Sequence, residues 1–342
     1  MKPTTNFASD NNAGIHPAVL KAIAAANTGR AVGYGDDKHT KAAAAKFRRA
    51  FGPGAEALFV NNGTGANVVC LSALTKSFNS IFCSDVAHIF LDECNAVEKA
   101  TGCKLIGLPA PDGKIRPEQI APYLAANTGD VHRAQPKVIS ITQPTELGTV
   151  YAAAELKALA DFAHSNGMYL HIDGARLSNA AAALGKSLRA AAAGADAISF
   201  GGTKNGLMIG EAAIFFDKTF AADAQFIRKQ NLHLTSKMRF IAAQFDALLT
   251  DNLWLENARH ANAMAALLAR EVAKIPNVRI TQKVETNAVF ASVPAAAIPK
   301  IRKQFYFYVW DATESVVRWM TAFDTTEADV RHFAAAVKKA MK

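Results

Sequence analysis

From about residue 55 to residue 220, short apolar runs alternate with longer Ala-rich stretches of helical spacing. This alternation restricts the chain to an α/β layer built on a mostly parallel sheet. Residues 57–60, 80–83, 104–107, 137–141, 168–172, 197–200 and 212–216 read as its strands. Seven such strands, apolar throughout, need helices over both faces. Between the fourth and fifth, Leu156, Leu159, Ala160 and Ala163 share one face of a predicted helix over 153–165, and Asn166-Gly167 stops it, which makes a βαβ crossover. Ahead of this block His16-Pro17 opens a helix towards Asn27, and a loop carrying Gly33-Tyr34-Gly35-Asp36-Asp37 follows. After about residue 250 the texture changes to a long helix over 254–274, short strands near 278–281, 287–293, 305–309 and 316–320, and a helix over 326–339. The expected organisation is an arm over 1–16, a large domain over 17–250 and a small α+β domain over 251–342.

A chain of 342 residues, half of them hydrophobic, can bury one large core or a large core plus a smaller one, and intrinsic disorder is excluded. Its 38 Lys and Arg against 29 Asp and Glu give 38 − 29 = +9. The basic residues are scattered or paired along helical stretches with acids nearby, and no aromatic residues interleave with them as stacking platforms. A solvated surface is therefore expected, and no nucleic-acid partner. Cys70, Cys83, Cys94 and Cys103 form no CxxC pair, which excludes a disulfide scaffold and suits a reducing compartment where each packs as a small hydrophobe. No structural zinc or other metal is expected. The opening MKPTTNFASDNN is polar at once, without the apolar region of a signal peptide, and no run approaches the ~20 residues of a membrane helix. A cytoplasmic protein with no membrane partner is expected.

Three strand ends carry chemistry. Asn61-Asn62-Gly63-Thr64-Gly65-Ala66-Asn67 lies directly after a strand and before an apolar helix. A Gly-Thr-Gly turn at a helix N-terminus offers free N–H groups, a hydroxyl and the positive dipole end to a phosphate; a plain tight turn with Thr64 as N-cap fits it too. Leu170-His171-Ile172-Asp173-Gly174-Ala175-Arg176 puts an acid at the carboxyl end of an apolar strand, where open α/β sheets keep their ligands; a helix N-cap paired to Arg176 is the plainer alternative. Ile198-Ser199-Phe200-Gly201-Gly202-Thr203-Lys204-Asn205-Gly206 sets a lysine in a tight turn, 204 − 173 = 31 residues after the acid. Alone it reads as a surface lysine in a glycine loop, but shielding would let it lose its proton and form an imine. Cup, acid and lysine in this order are what pyridoxal 5′-phosphate (PLP) needs: the cup for the phosphate, Asp173 for the pyridine nitrogen, Lys204 for a covalent imine.

At this point the chain resembles the fold-type I PLP-dependent enzymes, and more narrowly the low-specificity L-threonine aldolases, from Phe7 to about Phe323. The likeness rests on Ala8-Ser9-Asp10-Asn11, Tyr34-Gly35-Asp36-Asp37, Asn62 to Asn67, Val86-Ala87-His88, Asp130-Val131-His132, His171 to Arg176, Gly201 to Gly206, Lys237-Met238-Arg239 and Val317-Arg318-Trp319. It implies retro-aldol cleavage of a β-hydroxy-α-amino acid, such as L-threonine, L-allo-threonine or phenylserine, to glycine and an aldehyde. It also implies roles. Gly63, Thr64, Gly65 and Thr203 would join Asp173 and Lys204 in holding the cofactor. His88 would stack on its ring, and His88 or His132, or a water between them, would be the base. Ser9 and Arg318 would clamp the substrate carboxylate, with Arg176 beside that carboxylate and the cofactor hydroxyl. Tyr34, a substrate-side residue, and Lys237 and Arg239, directed to a neighbour's phosphate, would reach across a symmetric dimer, usually doubled to a tetramer, whose sites are shared. One departure stands out: Thr142-Gln143-Pro144-Thr145-Glu146-Leu147-Gly148 replaces the family's Glu-Asn-Thr-His-Asn run. The rival readings are another fold-type I PLP enzyme (aminotransferase, β-eliminating lyase or desulfurase) and a basic binding protein without catalysis.

Overall fold

In the computed structural model, which describes residues 6–341, the first five residues of the expected arm lie outside the described residues. Seven strands, β1 (Glu56–Val60), β2 (Asn79–Ser84), β3 (Lys104–Leu108), β4 (Gln135–Thr142), β5 (Tyr169–Gly174), β6 (Ala197–Gly201) and β7 (Glu211–Phe215), form one sheet in the order β1-β7-β6-β5-β4-β2-β3. Only β7 runs against the others, pairing antiparallel with β1 and β6, so the sheet is mostly parallel as the apolar runs indicate. The predicted crossover helix is present as Ala153–Ser165. Because six strands share one direction, the loops after β1, β2, β4, β5 and β6 open on one edge, the usual ligand edge of such a sheet.

Helices cover both faces. On one, Lys38–Phe51 and Arg239–Leu248 bury an aromatic cluster in which Phe47, Phe59, Phe200 and Phe245 meet at ring-centroid separations of 5.2 to 6.3 Å. On the other, Gly63–Leu74 lies over the sheet and Lys218–Gln230 packs beside it. His171 of β5 faces this side, fully buried between the hydroxyls of Ser140 and Ser199 at 2.9 and 3.0 Å. Burial pushes its pKa down to about 4, so it is a neutral packing element.

A second sheet has the order β10-β11-β9-β8 and is antiparallel: β8 (Arg279–Ile280), β9 (Ala288–Ser292), β10 (Tyr308–Asp311) and β11 (Val316–Met320). Alternation along β11 sends Val317 and Trp319 into a core with Phe333 of the helix Glu327–Ala340. Arg318 and Phe290, paired in register, share the opposite face. The helix Leu253–Val272 bridges the two cores, with Trp254 in the larger and Met264 to Val272 in the smaller. The arm docks here as well. Phe7 is buried in the small core and stacked on Phe333 at 4.3 Å; its N–H donates to Tyr306 O, and its carbonyl accepts from Met320 N at 2.8 Å.

The cysteines are unpaired, and Cys70, Cys83 and Cys103 are buried as expected. Cys94 is exposed instead, because it and Asn95 turn the chain at positive φ (49° and 58°) just after the short helix His88–Leu91. That puts a thiol in the loop after the helix that His88 opens. Among the described residues, no helix is long and apolar enough to cross a membrane.

Phe7→Ala removes the arm's anchor in the small core and should destabilise that core by about 3 kcal/mol. Denaturant unfolding followed by Trp319 fluorescence, with proteolysis of the arm, measures this.

Candidate active site

The acid sits at the end of β5. Asp173 is buried; Oδ1 accepts from Ala175 N at 2.9 Å, and Oδ2 from Asn67 Nδ2 at 2.9 Å. The local Ala175 bond is what a turn requires, but Arg176 is not its partner. The guanidinium turns away to Asp10 of the arm in a bidentate pair, Nε to Oδ2 at 2.6 Å and Nη2 to Oδ1 at 2.8 Å. Burial opposes the charge on Asp10, yet the Arg176 guanidinium and an Asn287 amide at 2.9 Å hold its carboxyl below its ordinary value.

The lysine sits in a single 3-10 turn, Thr203–Asn205, after β6. The chain approaches so closely that a Cβ on Gly201 would lie 2.1 Å from Ala175 O. The turn is locked by Glu211 of β7, which accepts from Gly202 N at 2.6 Å and from the Thr203 side chain. The Thr203 side chain is thus held against that carboxylate at the lysine turn. Burial pushes Glu211 up to about 7. Burial, and then the nearby Arg176 guanidinium, push Lys204 below the usual lysine value, and among the described residues its amine makes no hydrogen bond. It is thus ready to act as an uncharged nucleophile.

Arg318 faces this space from β11. Burial, then repulsion from Arg176, lower it to about 10. Its Nη2 reaches Ala8 O at 3.4 Å, Trp310 and Tyr308 flank the guanidinium at 5.3 and 5.5 Å, and Nε is buried without a partner. Ser9, next to Ala8, spends its hydroxyl as acceptor for Asn11 N at 3.2 Å, capping the short turn Asp10–Asn12.

His88 opens the four-residue helix after β2. Its backbone N–H donates to Glu146 Oε1 at 2.9 Å, and its ring Nδ1 lies 2.9 Å from Glu93 Oε1. Glu93 also accepts from Asn67 Nδ2 at 2.8 Å, so one amide joins Glu93 to Asp173. Glu146, which stands in the run that departs from the family, accepts from Thr142 Oγ1 at 2.6 Å, and burial pushes it up to about 7.

At the cup the helix cap is Asn62, whose side chain accepts from Gly65 N at 2.8 Å, so Thr64 is free of capping and its hydroxyl has no partner among the described residues. A Cβ on Gly65 would come within 2.1 Å of the His233 ring. The loop that carries His233 also bonds Asn61 through Thr235 at 2.8 Å and takes Tyr34 N on Ser236 O at 2.9 Å. Tyr34 is exposed under Lys229, 5.3 Å from its ring, and Arg239 is half-buried with Nη1 on Gly29 O at 3.3 Å; Lys237 is exposed. These three do not reach the cup within one chain. Nor does His132. It precedes β4 and lines a surface cavity of about 650 Å³ with Lys104, Tyr123 and Arg133, at the edge of the sheet opposite Asp173. The expected pairing of His88 with His132 is therefore absent within the chain.

Sequence reading missed Asp10 as an ion-pair partner, Asn67, Glu93, Glu146, Glu211 and His233. Asp10 and Asn67 lie inside quoted motifs, and Glu211 alone has a positional signal, as a charge opening an otherwise apolar strand. The residues present do fit PLP. The cup has free backbone N–H groups and a hydroxyl over a glycine that admits no side chain, and a buried carboxylate and an unpartnered amine share the same edge. Arg318 holds an orphan donor for a carboxylate.

Comparison with known proteins agrees. The β-eliminating lyase family model matches residues 6–296. The low specificity L-threonine aldolase of a Pseudomonas species is 42% identical over 339 residues, 98% of this chain and 97% of its own. That of Pseudomonas aeruginosa is 42% identical over 341 residues, 99% of this chain and 98% of its own. A solved structure of Leishmania major threonine aldolase superposes at a TM-score of 0.93 with 29% sequence identity, covering 98% of this chain and 99% of that one.

Two outcomes follow from this geometry. Gly65→Ala forces the His233 ring or the helix start to move and should weaken PLP binding at least about tenfold, roughly 1.4 kcal/mol, by absorbance titration. Asp10 has a folded pKa below its ordinary 3.8, so its pair with Arg176 stabilises the fold above that pH and is lost as pH falls through the lower folded value. The stability gap between wild type and Asp10→Asn should be full near pH 7 and close on acidification, measured by denaturant unfolding.

Proposed function

The chain belongs to the β-eliminating lyase family, among its low-specificity L-threonine aldolases, and from that premise we propose how its residues share the reaction. The protein is a PLP-dependent carbon–carbon lyase that cleaves L-threonine to glycine and an aldehyde. Related β-hydroxy-α-amino acids, L-allo-threonine and phenylserine among them, are proposed as further substrates. The observation that carries the assignment is the convergence on one sheet edge of an unpartnered, charge-shy Lys204, the buried Asp173 and the orphan donor of Arg318.

Bound at this edge, PLP supplies an electron sink for the pair released when the Cα–Cβ bond breaks. Gly63, Thr64 and Gly65 hold its phosphate at the helix N-terminus, and Asp173 holds its ring nitrogen. Lys204 supplies the uncharged amine. Arg318 orients the substrate carboxylate, with Ser9 beside it and Arg176 held alongside by Asp10. Orientation of the substrate by these residues would decide which of its bonds breaks. His88 accepts the β-hydroxyl proton.

The working unit is proposed as a symmetric dimer, or a tetramer of two dimers, with shared sites. Support comes from an exposed apolar patch, with Tyr34 54% and Leu232 86% exposed, beside Lys237 and Arg239. His132 then serves a neighbouring chain's site. The division into an arm over 1–16, a large domain over 17–250 and a small domain over 251–342 is supported by two separate cores, although the long helix, which lies within 251–342, packs its first turn into the larger core. Four unpaired cysteines support a cytoplasmic setting.

Purified protein should be yellow. Lys204→Ala should lose the visible absorbance of the bound cofactor and reduce glycine release from L-threonine by at least about 10³-fold, the scale of losing a nucleophile. Feeding L-threonine, L-allo-threonine and phenylserine separates the rival chemistries: glycine plus aldehyde is expected, whereas ammonia or a keto acid as main product would favour elimination or transamination.

A further inference from the structure

We propose that Glu93 is a positioning residue for the cleavage: its carboxylate fixes His88 with a proton on Nδ1 and Nε2 free, and couples that histidine to Asp173 through Asn67. The proposal rests on the reading of His88 as the base.

The hydrogen-bond arithmetic carries it. Asn67 Nδ2 has two hydrogens, and its two neighbours are Glu93 Oε1 at 2.8 Å and Asp173 Oδ2 at 2.9 Å. Both are carboxylate oxygens, which accept when ionised, so the amide's orientation is fixed and its donors are spent. Glu93 Oε1 then meets His88 Nδ1 at 2.9 Å, and the ring must be the donor. A neutral imidazole with its proton on Nδ1 carries its lone pair on Nε2. The exposures agree with this direction: the Glu93 side chain is 0% exposed and that of His88 43%, so the ring is anchored inside and open outside.

Among the described residues Glu93 Oε2 is buried with no partner, which leaves Asn67 and His88 as the groups that spread the carboxylate's charge. A carboxylate so confined favours a proton on the imidazole. The other groups facing His88 are Asp173 from the end of β5, which acts the same way, and Lys204 from the turn after β6, which opposes. Below the ring, Glu146 accepts from the His88 backbone N–H and holds the helix start in place. The balance raises the pKa of His88 above 6.5, with the Glu93 hydrogen bond as foremost cause.

In the reaction, neutral His88 takes the β-hydroxyl proton on Nε2 and becomes an imidazolium facing Glu93. The O–H pair becomes the second C–O bond of the aldehyde, and the Cα–Cβ pair stays with the glycine fragment. Because His88 must start neutral, activity falls as pH drops through its raised pKa.

The test is the pH dependence of kcat and KM for L-threonine in the holoenzyme, with a parallel pH titration of the bound cofactor's visible absorbance. E93Q keeps an acceptor but removes the charge. Its acid limb should move down by about one pH unit, kcat at the optimum should fall about tenfold, and KM and cofactor affinity should stay within about threefold. Glu93→Asp should restore part of the limb. Asn67→Ala removes a donor from Glu93, leaves its charge less spread, and should move the limb upward; a purely structural role gives no such opposite displacements. An unmoved limb in both E93Q and Asn67→Ala overturns the proposal. His88→Asn separates the two readings: if the wild-type limb persists there, His88 is not the base, and if it vanishes there but stays unmoved in E93Q, the role given to Glu93 alone is wrong.

Discussion

The buried bidentate pair of Arg176 and Asp10 is the contact on which the arrangement of this site depends. Arg176, Arg318 and Lys204 crowd one sheet edge, and the Arg176 guanidinium lowers the proton affinity of the other two. Asp10 is the counter-charge placed among them. It is itself satisfied on every side by Arg176 and Asn287, as a buried carboxylate must be. The pair therefore joins the segment after β5, the segment before β9 and the arm at one point. With Asp10 fixed, Ala8 and Ser9 lie beside Arg318.

The acids of the site double as fasteners. Glu211 ties the lysine turn through Gly202 N–H, Glu146 ties the start of the histidine helix, and Asp173 closes its own turn on Ala175. Burial leaves Glu211 and Glu146 near pH 7, so neither contributes a full negative charge at neutrality. That limits the pull on Lys204 from carboxylates and keeps its amine easy to deprotonate.

The sheet was legible because buried parallel strands read as unbroken apolar runs, and every one of the seven falls where such a run occurs. Cup, acid and lysine were legible for the same reason, since each follows directly on a strand. His132 carried the opposite signal in plain view: it precedes β4, and a residue before a parallel strand lies on the far edge. The fastening residues were not legible. Asn67 meets Asp173 across 106 positions and Asp10 meets Arg176 across 166, and nothing local in either stretch announces the partner. Thr203 and Ser9 also have local partners, the Glu211 carboxylate and the Asn11 N–H, that their motifs do not announce.

The arm's docking has a consequence for how this molecule comes into being. Phe7 pairs with Met320 on β11, and Ala8 meets Arg318 across 310 positions of chain. Contacts so distant in sequence are the last to be rewarded during folding, after the loop-closure entropy has been met. During synthesis, the segment at residues 7–10 therefore has no strand to join until β11 has left the ribosome. The cup and the lysine can form earlier, but the carboxylate clamp cannot. A nascent chain acquires a place for the cofactor before it acquires the ability to choose which bond of a substrate is broken.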